Sequence, residues 1–383
     1  MFYTHKLFCK FYFLLCIFLS CVWTAGAQEK IKSFTKKFIQ NVFTDTNSSD
    51  KASFRMYPSL AFAPETSFEL GASSLLLYKA KNDTNNRLSE LQAFSFVTLK
   101  GQYGLWIDNA LYGHQDNWFF LGKIRFQRFP LLYFGIGPNA DGSEESIVDA
   151  NYFLLRQRVL KKIAPDFFAG AELDIQTLFN TSYTSVHGNL TPPEGIGGST
   201  NTGIGASLVY DNRQNVLNVR KGFFAELAWL NYGGIINGPY RFNTLLTDIR
   251  GYHQLKTNRV FAWQLAGSVI NGPAPFNMKS LLGGENLMRG YYYGRYRDNV
   301  LMAAQAEYRI LPFSFSKRWG AAAFAGAGTV APSVGTLQLK HTKFAAGAGV
   351  RYLLFVKKDI FLRFDVGVTR EGVNFYLFTG EAF

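Results

Sequence analysis

The chain has 383 residues, a formal charge of +13 and 16% aromatic residues, and its three cysteines, Cys9, Cys16 and Cys21, all fall near its start. That placement excludes a disulfide framework, a thiolate metal site and a cysteine nucleophile from everything after them. No later stretch reaches about eighteen consecutive apolar residues, so no membrane-crossing helix is expected, and abundant Phe and Tyr with few helix-favouring blocks argue for an all-β chain, a large sandwich or a barrel.

Lys6 and Lys10 precede an apolar run from Phe11 to Val22 and then Ala25-Gly26-Ala27, the small-x-small pattern of a secretory cleavage site. Residues 1–27 therefore read as a signal peptide cut before Gln28. A rival reading acylates Cys21, but Phe18 stands where a small aliphatic residue is usual. Residues 28–53 carry Ile31, Phe34, Phe38 and Val42 at helical spacing and then a polar run, which predicts a short periplasmic segment with one amphipathic helix. Export also bears on the charge. Lys and Arg are scattered through the later segments and not gathered on one patch, which favours anionic lipid head groups and a pore lining over nucleic acid.

From Phe54 to Phe383 the chain becomes a series of alternating segments separated by polar or glycine-rich turns. Strands are expected near 54–64, 67–79, 89–100, 102–113, 116–128, 150–162, 165–180, 200–211, 220–232, 239–255, 259–271, 299–311, 317–330, 341–355, 358–369 and 372–383. In Met302 to Ile310, for example, Met302, Ala304, Ala306, Tyr308 and Ile310 oppose Ala303, Gln305, Glu307 and Arg309. In Ile360 to Val368 the apolar set opposes Phe361, Arg363, Asp365 and Gly367. One apolar face and one polar face is what a transmembrane strand needs between lipid and lumen. The expectation is a transmembrane antiparallel β-barrel of sixteen strands, an even number as closure requires. The stretches Gln102–Gln127 and Tyr240–Leu255 alternate poorly, so fourteen or twelve strands stand as alternatives. Long loops at 129–149, 181–199, 272–298 and 331–340 fall on one side and tight turns, as at Thr257-Asn258 and Lys357-Lys358, on the other. Trp106, Trp118, Trp229, Trp263 and Trp319 read as interface girdles.

Within the loop 272–298 lies Leu281 to Asp298, dense in Arg, Tyr and Gly. Tyr and Arg at this density suit stacking and forked hydrogen bonds in a polar cavity. Met288-Arg289-Gly290-Tyr291, followed by Glu307-Tyr308-Arg309 on the next strand, resembles the Arg-Gly-Tyr/Phe motif of the BamA/TamA superfamily of outer-membrane assembly barrels, also called bacterial surface antigens or the outer membrane protein 85 superfamily. Tyr210-Asp211-Asn212-Arg213-Gln214-Asn215 with Lys221-Gly222 resembles that family's YDxRxN…P…G turn, with Val219 where proline is usual. The likeness runs from about Phe54 to the end of the chain. It implies a sixteen-stranded barrel with the loop folded into the lumen, where Arg289, Gly290 and Tyr291 lock it to the acidic wall. Glu307 is the expected partner. The family's further aspartate, in a Phe-x-Asp-x-Gly pattern, is replaced by glycine in Phe324-Ala325-Gly326-Ala327-Gly328, so Glu307 is expected to act alone or in a weaker lock. Asp211, Arg213 and Gly222 form the turn motif, and Phe383 the terminal aromatic that barrel-assembly machinery reads.

The resemblance implies outer-membrane protein assembly, translocation or lipid handling in the bacterial outer membrane, with lipid or lipopolysaccharide around the barrel. Periplasmic or outer-membrane protein partners, or a second copy in a homodimer, are implied too. Residues 28–53 are too few for a polypeptide-transport-associated (POTRA) domain, so a partner would have to receive clients. A passive pore or a structural subunit of a larger complex is the alternative. No enzyme is expected: His114, His187, His253 and His341 show no ligand spacing or neighbouring nucleophile motif, and neither a metal nor a cofactor is called for. The glycine runs near 135–142 and 195–205 open no helix and lack the lysine of a phosphate loop.

Overall fold

The computed structural model describes residues 52–83, 85–188, 190–213, 215–356 and 359–383. Residues 1–27, expected to be a signal peptide, all but the end of segment 28–53, Gln214 and Lys357-Lys358 lie outside the described residues. The strands run β1 Ser53–Ala63, β2 Ser67–Lys79, β3 Leu88–Thr98, β4 Tyr103–Tyr112, β5 Trp118–Arg128, β6 Glu145–Ala164, β7 Phe167–His187 and β8 Ser199–Asp211. They continue as β9 Gly222–Tyr232, β10 Phe242–Lys256, β11 Arg259–Asn271, β12 Val300–Ile310, β13 Trp319–Ala331, β14 Lys343–Phe355, β15 Ile360–Thr369 and β16 Gly372–Thr379. Each pairs antiparallel with its chain neighbour, and β1 meets β16, so the sheet closes on itself. The short segment Leu131–Tyr133 pairs only with the far end of β6. Sixteen strands therefore form the barrel, including the poorly alternating ones.

Closure is what hydrocarbon demands, because an open edge would leave backbone amides without partners. The alternation works as expected. Phe54, Met56, Leu70, Met302, Phe364, Val368 and Phe375 face outward and exposed, while Gln305, Glu307, Arg309, Arg363 and Asp365 are buried inside. No helix among the described residues is long and apolar enough to cross a membrane, which says nothing against crossing by strands.

The structure departs from expectation in three places. β6 and β7 have 20 and 21 residues, far more than the roughly 9–11 a tilted transmembrane strand needs, so this hairpin rises beyond the membrane and shortens the loops predicted beside it. β16 stops at Thr379, and residues 380–383 leave the strand. Trp106 belongs to no girdle: it lines lumen cavities, and its indole N–H donates to Gln127 Oε1 at 2.7 Å.

The core sits inside the barrel. At the end carrying the long loops, Leu282, Met288, Tyr291 and Tyr296 of loop 272–299 pack on Leu301, Ala303, Val330 and Ala345 of the wall. At the other end Tyr112, Phe119, Leu160, Phe168, Val209 and Phe224 fill the bore.

Candidate functional site: the lumen plug and the seam

Loop 272–299 leaves β11, turns into the lumen and carries its own small ladder, Ser280–Leu282 against Tyr296–Asp298. Arg289 of this loop is buried, 1% exposed. One Nη donates to Glu307 of β12 and the other to Asp365 of β15, while the Phe324 ring of β13 lies 3.6 Å beneath the guanidinium. A forked cation between two carboxylates over an aromatic face is strongly oriented. Three wall arginines complete the cluster. Arg309 Nε reaches Glu307 at 2.9 Å, Arg351 Nη2 reaches it at 3.1 Å, and Arg363 Nη1 reaches Asp365 at 3.1 Å.

Of the two expectations, a weaker lock or Glu307 carrying it alone, the second does not hold, because Asp365 is a second carboxylate on Arg289. The alternation already placed Asp365 on the inner face, but pairing it with Arg289 requires knowing that β12 and β15 stand on the same side of the bore. Glycine at the acidic place is also explained: a Cβ on Gly326 would lie 2.9 Å from Met288 Sδ, so the loop's own methionine occupies that space.

Gly290 has φ +116°, open to glycine at little cost, and a Cβ on Gly367 of β15 would sit 2.7 Å from the Arg289 carbonyl group and the Gly290 nitrogen. Two glycines thus let loop backbone lie directly on wall backbone. Gly290 is then held by β16: Tyr376 Oη accepts its N–H at 2.9 Å and Asn374 Nδ2 donates to its carbonyl at 2.6 Å. Tyr376 Oη in turn donates to the Tyr291 carbonyl at 3.2 Å. Across the junction, Glu65 in the β1–β2 turn accepts the N–H of Tyr293. These contacts on either side of the β1–β16 seam were not foreseen: Phe62-Ala63-Pro64-Glu65-Thr66 looks family-like but names no partner for Glu65, and nothing in the sequence marks Asn374 or Tyr376 apart from their neighbours.

The turn motif lies at the opposite end. Asp211 is buried and takes Arg213 Nε at 2.9 Å and Nη2 at 2.8 Å, and the Arg213 guanidinium lies 4.4 Å from the Phe224 ring centre. Gly222, with φ +131°, passes so close to Arg213 that a Cβ would lie 2.8 Å from its Cα. The segment that follows Arg213 crosses the barrel mouth. Leu217 packs against Leu75, Leu77 and Ile360, and Arg220 pairs with Asp359 at 2.6 Å. Val219, where proline is usual, is buried with Tyr252, Ala262, Ala382 and Phe383. Phe383 is thus inside the bore, not on the lipid face, and Arg309 Nη2 donates to its main-chain oxygen at 3.0 Å. Between the two closures lie polar cavities of about 410 and 470 Å³. Wall charges pair mostly with their neighbours, as Arg158 does with Glu172 at 2.7 Å. No described group of His, Asp and Glu is arranged to hold a metal ion.

Residues 165–383, more than half of the chain, match the Omp85 superfamily domain. The chain belongs to the Omp85 superfamily. It is a barrel of the bacterial outer membrane, in a family of translocation and assembly proteins. Its fold is similar to BamA from Haemophilus ducreyi lacking POTRA domains 1–3, at 12% identity and TM-score 0.54, over 86% of this chain and 70% of that one. CdiB from Acinetobacter baumannii matches at 10% identity and TM-score 0.52, over 86% of this chain and 60% of that one. CdiB from Escherichia coli matches at 9% and 0.53, over 91% and 70%. At these identities the likeness concerns the fold alone. No curated protein matches in sequence.

Proposed function

We propose that this Omp85 barrel assembles or translocates other outer-membrane components by parting between β1 and β16, with the plug loop as the latch on that seam. The observation that carries the reading is a contrast in pairing. Among the described residues the seam has one paired position, Phe62 with Leu377, whereas β1 and β2 share eleven. Backbone hydrogen bonds have no substitute in lipid, so the junction with fewest is where the sheet opens most readily. An opened edge is a template on which a client strand adds by β-augmentation.

In this reading Arg289, Gly290 and Tyr291 set the latch, with Glu307 and Asp365 as its catch and Tyr376 and Glu65 sensing the two sides. Asp211, Arg213 and Gly222 hold the second closure at the periplasmic mouth, and Phe383 seals it from inside. Periplasmic or outer-membrane partner proteins deliver clients, lipopolysaccharide and phospholipid surround the apolar belt, and a homodimer is one form such an assembly takes. A passive diffusion pore fits poorly with a bore closed at both ends.

Phe62→Cys with Leu377→Cys tests the reading. Opposed strand residues have Cβ atoms about 4.5–5.5 Å apart, near enough for a disulfide after a small adjustment. Oxidation should abolish insertion of a model barrel into proteoliposomes and reduction restore it. Equal insertion by both forms rejects lateral opening, and a steady open conductance without insertion points to a pore.

A further inference from the structure

Beside the plug is a small apolar cavity that the latch does not use. It measures about 110 Å³, room for roughly eight non-hydrogen atoms. Leu131, Val148, Leu178, Phe276 and Leu281 form its apolar wall, and Arg297, Asn277, Gln127 and the Tyr133, Tyr152 and Tyr293 side chains supply the polar groups; of these Gln127 is engaged with Trp106 and Tyr152 with Gln176.

Arg297 is the odd member of the plug's arginines. Arg289 has two carboxylates and Arg295 has Glu371 at 2.8 Å, but Arg297 makes no ion pair with any described residue. It is 3% exposed, and among the described residues its Nε has no hydrogen-bond partner and its Nη2 reaches only the Gly294 carbonyl at 3.4 Å. The adjacent carboxylate, Asp298, is on the other face of the short strand, since successive side chains point oppositely. Two rings flank the guanidinium, Tyr133 at 5.3 Å and Phe276 at 5.8 Å, which orient it without neutralising it. Both polar atoms of the Asn277 side chain are likewise buried without partners. A buried charge and a buried amide left unsatisfied are costly, and in a cavity they mark where a complementary group fits.

We infer that this cavity binds a small monocarboxylate with an apolar tail, the carboxylate forked onto Arg297 and contacted by Asn277, the tail lying among Leu131, Val148 and Leu178. One guanidinium in apolar surroundings matches a single negative charge and disfavours a polyanion. The site stands apart from the seam and does not rest on lateral opening.

The test titrates the detergent-solubilised barrel with hexanoate and, in parallel, with 1-hexanol, following binding by saturation-transfer NMR. Hexanoate should bind at least about tenfold more tightly than the alcohol, the margin expected of hydrogen bonds to a charged group. Arg297→Gln should erase that margin while leaving the alcohol unchanged, and Val148→Trp should exclude both. Heat-modifiable migration reports whether each variant folds. Equal binding of acid and alcohol to the unaltered protein, no binding of hexanoate at millimolar concentration, or an unchanged margin in Arg297→Gln overturns the inference. The first two readouts need no variant at all.

Discussion

Four arginines, Arg289, Arg309, Arg351 and Arg363, meet three carboxylates, Glu307, Asp365 and Glu381, on the inner wall. Arg289→Ala removes the one cation that belongs to the loop and leaves the wall balanced, three against three. The barrel should therefore keep its heat-modifiable migration while the loop comes free, seen as a higher single-channel conductance; unchanged conductance would mean the loop is held by other contacts. Glu307→Gln does the opposite, leaving four buried cations to two anions. Breaking a buried network this way costs roughly 3–5 kcal/mol, so the unfolding midpoint should fall clearly below that of Arg289→Ala. Glu65 gives the latch a pH dependence. Burial, with Glu285 nearby, pushes its carboxyl up to about 8. The folded protein then holds a proton that the unfolded chain releases, so this stability is present below the ordinary carboxylate range and is lost as pH rises through about 8. Each unit of separation is worth about 1.4 kcal/mol. Thermal unfolding should shift down between about pH 6 and pH 9 in the unaltered protein and much less in Glu65→Gln.

Among the elements, β15, β16 and the plug loop act as one unit. The loop backbone rests on Gly367, is tied to Asn374 and Tyr376, and reaches the hairpin tip through Arg295 and Glu371 at 2.8 Å. Gly367→Leu should lift Arg289 away from Asp365 without changing any charge, so its conductance should match that of Arg289→Ala. If instead it behaves like the unaltered barrel, the close backbone approach is not what seats the loop. The same unit explains why β16 is short: Gly380, with φ +89°, turns the chain off the strand, and Glu381 then meets Arg351 at 3.0 Å. The long β6–β7 hairpin packs on the loop, Val148 and Leu178 against Phe276, while its upper part, Thr184 to His187, is largely exposed.

For the whole molecule, the consequence is a bore closed twice, by a loop locked through ion pairs at one end and by a turn packed through Leu217 and Val219 at the other. Arg309 links the two closures, pairing with Glu307 at one and donating to the Phe383 main-chain oxygen at the other, but Arg289→Ala leaves Arg309 in place, so freeing the loop should leave the turn seated. Arg220→Ala with Val219→Gly should open the second mouth, and combining them with Arg289→Ala should raise conductance well beyond either change alone. Additive small effects in planar bilayers would show that the bore is narrowed elsewhere.

Period-two alternation is a local property, so the sequence by itself determined that the chain forms strands, which face meets lipid, and, through the even count, that the sheet closes. The resemblance to the family's Arg-Gly-Tyr/Phe motif marked Arg289, Gly290 and Tyr291, and alternation placed Glu307 on the inner face. Asp365 as second carboxylate, Tyr376 and Glu65 as braces across the seam, Phe383 turned inward and Arg297 left beside an apolar cavity were decided only by tertiary structure. Each depends on which strands face one another across the bore, and curvature and register over hundreds of residues set that, with no trace in the neighbourhood of any one residue.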